Sequence, residues 1–243
     1  MKKIALVTGA NKGLGFETSR VLAKNGIKVL LGSRDLERGE KAVEALKNEG
    51  LDVELLHIDI SNADSIKNAV ADIKSKYGKL DILVNNAGMI HKNEDWQANT
   101  TQDISVSILK DTFETNFFGL VDLTQQLLPL IKKSEYGNIV NVSSILGSLS
   151  AGNDSKSDYY SVKPFAYNSS KAALNSFTIH LAAALKEDKI KVNSAHPGWV
   201  KTDLGSQYAP LTVEEGAKTI VDLALDTSND TAKFIHLGED IPW

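Results

Sequence analysis

The chain has 243 residues, 42% of them hydrophobic and 24% charged, which suits a globular α/β protein long enough to bury a sizeable core. A formal net charge of -4 without a run of basic residues argues against nucleic acid or an acidic membrane surface as partner and points to small molecules. With no cysteine there are no disulfides, thiolate metal sites or cysteine nucleophiles; a reducing, cytoplasmic location is the expectation.

Lys2 and Lys3 precede the apolar run Ile4 to Val7, which is too short for a secretory leader, and no segment approaches the roughly 20 apolar residues that span a bilayer. Ile4 to Val7 is instead a strand. The stretch Thr8 to Gly15, TGANKGLG, follows at once, and a helical pattern runs from Phe16 to Lys24. Strand, glycine turn and helix in this order make a dinucleotide site. Gly9 allows a sharp turn, Gly13 a close approach of backbone to a pyrophosphate, and Gly15 close packing of helix on sheet. The helix N-terminus offers its free N–H groups and positive dipole end to the phosphates. The spacing is G-x-x-x-G-x-G.

A second strand, Lys28 to Leu31, precedes a helix over Leu36 to Asn48, with Asp35 as N-cap and Gly50 just beyond. Val53 to Ile58 is the third strand. Ser61 or Asn62 caps a helix that reaches about Tyr77, Gly78 ends it, and Leu80 to Val84 is the fourth strand. Met89 to Asp103 is polar and irregular. A long helical pattern from Ile108 to Lys132, bent or adjusted at Gly119 or Pro129, leads to the fifth strand, Asn138 to Val142. Then come a second long helix (Phe165 to Glu187), a sixth strand (Ile190 to Ala195), a last helix (Val213 to Leu225) and a strand at Phe234 to Leu237. The chain stops at Ile241-Pro242-Trp243, so no tail is expected to cap a site. The alternation implies right-handed crossovers and predicts a Rossmann-type doubly wound parallel sheet of about seven strands in a single domain.

In such folds the end of the second strand meets the adenine ribose. An acidic side chain there accepts from the 2′-hydroxyl, whereas an arginine meets a 2′-phosphate. Here that end reads Gly32, Ser33, Arg34, Asp35. Arg34 can fork two N–H bonds onto phosphate, and Lys12 of the glycine loop can approach the same phosphate, which favours NADP(H). If Asp35 occupied the ribose position NAD would be preferred; Ser33 is the residue expected at the strand end proper, with Asp35 already capping the next helix. Asp59, just past the third strand, can accept from the adenine amino group or serve as an ordinary turn residue.

Tyr167 and Lys171 lie four apart near a helix start and share a face. A free tyrosine titrates at about 10, and an ammonium one turn away is expected to lower that value, which suits a general acid in carbonyl reduction. Ser143 and Ser144 follow the fifth strand, Asn85, Asn86, Ala87 and Gly88 the fourth, and Pro197-Gly198 with Thr202 the sixth. Polar groups after several strands converge on one cleft at the carboxyl edge of the sheet. The five histidines lack the paired spacing of a metal site and are read as structural or solvent-facing, so no metal is expected.

Together these motifs resemble the short-chain dehydrogenase/reductase family, most closely its carbonyl-reductase-like members, over essentially the whole length. They stand as TGANKGLG at 8 to 15, NNAG at 85 to 88, Asn116, IVNVSS at 139 to 144, YNSSK at 167 to 171 and HPGWVKTDL at 196 to 204. The resemblance implies that Ser144 polarises the substrate carbonyl, Tyr167 delivers the proton, Lys171 binds the nicotinamide ribose and depresses the tyrosine pKa, and Asn116 holds a water of the proton relay. It places NADP(H) against Gly9, Asn11, Lys12, Gly13, Leu14 and Gly15, then Arg34, Asp59 and Ile60, then Asn86, Ala87 and Gly88. Tyr167, Lys171, Pro197, Gly198, Val200 and Thr202 complete that set. Substrate contacts fall to Ser144, Ile145, Tyr167 and Trp199, with Trp96, Leu146 and Tyr208 as weaker wall candidates.

The activity implied is NADPH-dependent reduction of a ketone or aldehyde. A ketoacyl reductase or dehydrogenase of the same fold is the alternative, and a non-catalytic NADP-sensing protein the remote one. Ser144 and Tyr167 stand 23 positions apart, more than is usual in the family. The extra residues, Gly147 to Pro164, are expected to form a surface excursion beside the site. It is intermediate in length between ordinary members and carbonyl-reductase-like ones, where a longer insertion covers the pairing helix, so a homodimer or homotetramer through the two long helices is favoured over a monomer.

Overall fold

The computed structural model describes residues 2–96 and 98–243. Within them one sheet has eight strands in the order β3-β2-β1-β4-β5-β6-β7-β8. They are β1 Ile4–Val7, β2 Lys28–Ser33, β3 Val53–His57, β4 Ile82–Asn85, β5 Asn138–Val142, β6 Lys191–Ala195, β7 Phe234–His236 and β8 Glu239–Asp240. The helices are α1 Gly13–Lys24, α2 Leu36–Asn48, α3 Ala63–Tyr77, α4 Val106–Phe113, α5 Gly119–Ile131, α6 Leu149–Asn153, α7 Phe165–Ala184 and α8 Val213–Leu225. The first seven strands are parallel; β8, which the sequence pattern did not reveal, returns antiparallel along β7. Leu237 and Gly238 between them both have positive φ, 47° and 87°, as a two-residue hairpin turn requires.

The strands are apolar along both faces because helices cover both. Ile4 and Leu6 of β1 join a core with Ile66 and Ile73 of α3, Leu123 and Leu127 of α5 and Leu181 of α7. Ala5 and Val7, pointing the other way, join Leu22 of α1, Leu46 of α2 and Ile220 of α8. Strand order reverses between β1 and β4, which opens a crevice at the carboxyl edge.

Local chemistry sets the helix ends. Asp35 accepts from Arg38 N–H at 3.0 Å, Asn62 accepts from Ser65 N–H at 3.0 Å, and Gly78 ends α3 with φ 70°. The long helical pattern after residue 105 is interrupted by a π-helical turn, Glu114–Phe118, between α4 and α5. Gly119, where α5 resumes, packs so closely that an added Cβ would lie 1.7 Å from the Ile60 carbonyl oxygen. Pro129 sits inside α5.

Just below the crevice, Asn85, Asn141 and Ser194 are in register on β4, β5 and β6. Asn85 Nδ2 donates to Asn141 Oδ1 at 2.9 Å and to Thr124 Oγ1 at 3.0 Å. Asn141 Nδ2 donates to Thr178 Oγ1 at 2.9 Å, and that hydroxyl bonds Ser194 at 2.8 Å. This buried chain of hydrogen bonds fixes three strands against α5 and α7 under the site.

Candidate active site

Gly9 and Gly13 have φ of 62° and 56°, a region that favours glycine. A Cβ on Gly15 would lie 2.5 Å from Asn86 Nδ2 and 2.7 Å from the Gly9 oxygen. Helix α1 begins at Gly13 with extended backbone at Lys12 and no side-chain cap, so its first N–H groups remain available to an anion. Asn86 braces this loop: its Nδ2 donates to the Thr8 and Gly9 carbonyls at 2.8 and 3.2 Å. Thr8 Oγ1 in turn accepts from the Asn86 and Ala87 N–H groups, both at 3.0 Å. Asn11 is half-buried and Leu14 lines the cleft.

At the end of β2, Arg34 is exposed, and Ser33 is buried with its hydroxyl donating to the Asp35 carbonyl at 2.7 Å. The Asp35 carboxylate is occupied by Arg38, whose Nε lies 3.3 Å away, in addition to its cap bond. The Asp35 carboxylate is thus engaged by its own helix, as a cap and an ion-pair partner. Lys12 is exposed and its ammonium pairs with Asp203, a partner 191 residues away that spacing could not suggest. That ion pair holds the Asp203 carboxyl below its ordinary range. Asp59 is a turn residue whose Oδ1 accepts from Ser61 N–H and hydroxyl at 3.0 and 2.7 Å. Ile60 is buried and presents its carbonyl to Gly119.

Ser144, Tyr167 and Lys171 come together at the carboxyl end of β5, and Ser144 and Tyr167 line the cleft. The two serines after the strand part ways. Ser143 donates to Asn175 Oδ1 of α7 at 2.7 Å, whereas the Ser144 hydroxyl reaches the Tyr167 phenol. Lys171 Nζ stands 5.7 Å from the centre of the Tyr167 ring and donates to the Val142 carbonyl at 2.8 Å. The expected lowering of the tyrosine pKa is not what this arrangement gives. Burial pushes the Tyr167 phenol up to about 12, with the Ser144 hydrogen bond pulling the other way. Burial also takes Lys171 down to about 8. Desolvation of the buried phenol sets the direction of the shift.

Asn116 is fully buried in the π-helical turn. Its side chain pairs with both backbone groups of Met89, accepting from N–H at 2.8 Å and donating to the carbonyl at 2.9 Å, and donates to Ser170 Oγ at 3.0 Å. Gly88 lies beside this group, with the position of an added Cβ 3.4 Å from both Asn116 Oδ1 and Lys171 Nζ.

The loop after β6 forms the far wall. Gly198 has φ 84°, and Val200 bridges to Leu211. Gly205 N–H donates to Thr202 Oγ1 at 3.1 Å, and the Thr202 methyl lies 3.4 Å from where a Gly13 Cβ would be. Trp199 donates from its indole N–H to the Gly205 carbonyl, and its ring lies 6.2 Å from Trp96. The cleft has a volume of about 490 Å³ and is mostly apolar, with Ile90, Trp96, Ile145, Leu146, Trp199 and Leu204 in its walls. Tyr208 is exposed and lies outside that wall. The stretch after Gly147 is more than a surface excursion: it contains α6 and brings Asp158, Tyr159 and Val162 into the lining. The end of the chain also packs there, with Trp243 stacked on Phe234 at 5.4 Å and its carbonyl accepting from Ser150 N–H at 3.1 Å.

Two features escape sequence reading. His196, read as structural or solvent-facing, is buried and lines the cleft. Helix α7 starts at Pro164 without a side-chain cap of its own. Its first N–H groups are met from the irregular segment after β4. Thr100 Oγ1 accepts from Phe165 at 3.0 Å, and the buried Glu94 carboxylate accepts from Ala166 at 2.6 Å and Tyr167 at 3.2 Å. No spacing rule signals such a long-range cap.

Among the described residues there is no cluster of metal-binding side chains, and no helix is long and apolar enough to cross a membrane. Mouse carbonyl reductase [NADPH] 1 is 35% identical, over all of this chain and 99% of its own length. Short-chain dehydrogenase/reductase 1 of Saponaria officinalis is 38% identical, over 92% of this chain and 90% of its own length. The solved structure of the carbonyl reductase Sniffer of D. melanogaster superposes over the full length of both chains with a TM-score of 0.85 at 31% identity. Residues 3–213 match the family described as short chain dehydrogenase, and the chain belongs to that family.

Proposed function

We propose that this protein is an NADPH-dependent carbonyl reductase that converts a ketone or aldehyde to an alcohol, with Tyr167 as general acid. The observation that carries this reading is the meeting of Ser144, Tyr167 and Lys171 on a largely apolar cleft that the glycine loop also borders. The names of the mouse and fly relatives support the substrate class, and the mouse name the cofactor. The glycine turn with positive φ at Gly9 and Gly13 and the uncapped start of α1 fit a dinucleotide.

The α1 N-terminus and Gly9, Gly13 and Gly15 would hold the pyrophosphate, Arg34 and Lys12 the 2′-phosphate, Lys171 the nicotinamide ribose, and Val200 and Thr202 the carboxamide. Bound NADPH supplies the hydride. The chain supplies orientation and the proton. The Ser144 and Tyr167 hydroxyls converge on one carbonyl oxygen, and stabilise negative charge developing there. A phenol held up at about 12 is fully protonated at neutral pH and so stands ready to donate. Once it has donated, the nearby ammonium stabilises the phenolate. Asn116, bonded to Met89 and through Ser170 to α7, would hold a water of the proton relay. The apolar walls exclude water and favour bulky hydrophobic carbonyl compounds over sugars.

Two features of the surface extend the reading. Phe118 is exposed beside Phe113 and Phe117 in the helical run that leads into α5, and Ile179 is exposed on α7, which supports pairing with a second copy through α5 and α7; light scattering tests it. A cytoplasmic location, with which a cysteine-free sequence is compatible, completes the reading. The function itself is tested by turnover of chemically varied ketones, aldehydes and acyl-thioesters with NADPH and NADH. Consumption of NADPH with simple ketones is expected. Activity confined to acyl-thioesters would favour the ketoacyl-reductase alternative, and no turnover of any carbonyl would overturn the proposal.

A further inference from the structure

We propose that His196 determines substrate preference by donating its Nε2–H to a second oxygen of the substrate, so that the enzyme favours diketones over matching monoketones. This rests on the carbonyl-reductase reading above.

The ring is placed by backbone on both sides of β6. His196 N–H donates to the Ile235 carbonyl at 2.8 Å, and the His196 carbonyl lies 2.9 Å from His236 Nδ1. The residue is only 6% exposed, yet it lines the cleft. Its Nδ1 accepts from two backbone N–H groups, Ile145 at 3.3 Å and Gly198 at 3.4 Å. A nitrogen that accepts carries no proton, so the ring's proton is on Nε2. Burial, and the electrostatic effect of His236 whose ring centre lies 4.7 Å away, lower the His196 pKa to about 3, which keeps Nδ1 free of a second proton at neutral pH.

Nε2–H has no hydrogen-bond partner among the described residues, and it is not one of the sealed, unsatisfied polar atoms of the interior. His196 is thus a lining residue of a mostly apolar cleft with an unpaired, unsealed donor, set beside the Ser144 and Tyr167 hydroxyls. Its position is also fixed relative to the chemistry, because Ile145, whose N–H holds Nδ1, directly follows Ser144. With Ser144 and Tyr167 holding the reacting oxygen, a second carbonyl oxygen satisfies this donor. A monoketone of the same skeleton leaves it desolvated and unpaired, and such a mismatch discriminates well between related substrates.

The test compares kcat/KM with NADPH for benzil against deoxybenzoin, and for benzoylacetone against butyrophenone, in the wild type, His196→Phe and His196→Gln. Intrinsic reactivity cancels when the diketone-to-monoketone ratio is compared between enzymes. The ratio is expected to fall about tenfold in His196→Phe for at least one pair, as loss of one hydrogen bond to a buried partner implies. His196→Gln, which keeps an N–H donor, is expected to retain part of it. A role confined to bracing Ile145 and Gly198 would lower both members of each pair alike, and ratios unchanged in both pairs would overturn the proposal. A second readout needs no variant: with nitrogen-labelled histidine, the His196 Nε2–H resonance of the wild type is expected to shift on adding benzil but not deoxybenzoin, and equal responses would count against it. If the wild type reduced none of these ketones, the carbonyl-reductase reading would fall; turnover of both kinds with unchanged ratios would remove only the role of His196.

Discussion

Replacing Glu94 by alanine probes how helix α7, which carries Tyr167, is held. Its carboxylate is the partner of the Ala166 and Tyr167 N–H groups, and both residues are buried, at 0% and 7% exposure, so water cannot take its place. Leaving a buried donor unsatisfied costs about 1–3 kcal/mol, and loss of a helix cap about 1 kcal/mol, so the two donors together put the loss at roughly 2–4 kcal/mol. For a protein of this size about 1 kcal/mol corresponds to roughly 2–4 °C in Tm, so Glu94→Ala should melt about 5–15 °C below the wild type. Glu94→Gln keeps one accepting oxygen and should lose about half as much. Thr100→Val should be milder than either, because Phe165, whose N–H it leaves, is 37% exposed and accessible to water. Thermal melting followed by circular dichroism measures all three. A Glu94→Ala Tm within about 2 °C of the wild type would refute the reasoning.

Lys171 carries its charge below about pH 8 and loses it as the pH rises through that value. NADPH affinity is expected to weaken above pH 8 in the wild type and to stay flat with pH in Lys171→Met, read by fluorescence titration. An unfolded lysine keeps its proton to about 10.5, so the unfolded state binds more protons between those values and this group's contribution to stability rises from pH 8 to 10.5. Gly119→Ala places a methyl 1.7 Å from the Ile60 carbonyl, so soluble yield or Tm should collapse; a Tm unaltered by the change would contradict the packing of the π-helical turn. Arg34→Ala should weaken NADPH binding by about 10- to 100-fold, the worth of a charge-assisted bond, with NADH nearly unaffected; equal losses for both would remove the 2′-phosphate assignment.

The parts of the fold legible in the sequence are those set by local pattern. Apolar runs between amphipathic stretches mark the strands, and Asp35, Asn62 and Gly78 mark helix ends because a cap acts within four residues. The glycine loop and the Tyr167 to Lys171 spacing are legible for the same reason. What stayed hidden depends on partners distant in the chain. Lys12 meets Asp203, Glu94 meets the start of α7, and the histidine after β6 becomes a cleft residue only when β5 and β6 lie side by side. The direction of the Tyr167 shift was missed because spacing reports the lysine's proximity but not the depth of burial that opposes it. The strand β8 was missed because two residues carry no periodicity.

The central claim, that Tyr167 delivers the proton in NADPH-dependent carbonyl reduction, is tested most directly by Tyr167→Phe, assayed for ketone-dependent NADPH oxidation alongside NADPH binding by fluorescence. The variant keeps the ring and loses only the hydroxyl. The expected result is turnover reduced by about 10²- to 10⁴-fold, as befits removal of a general acid, with NADPH binding nearly intact. Turnover close to that of the wild type would contradict the account.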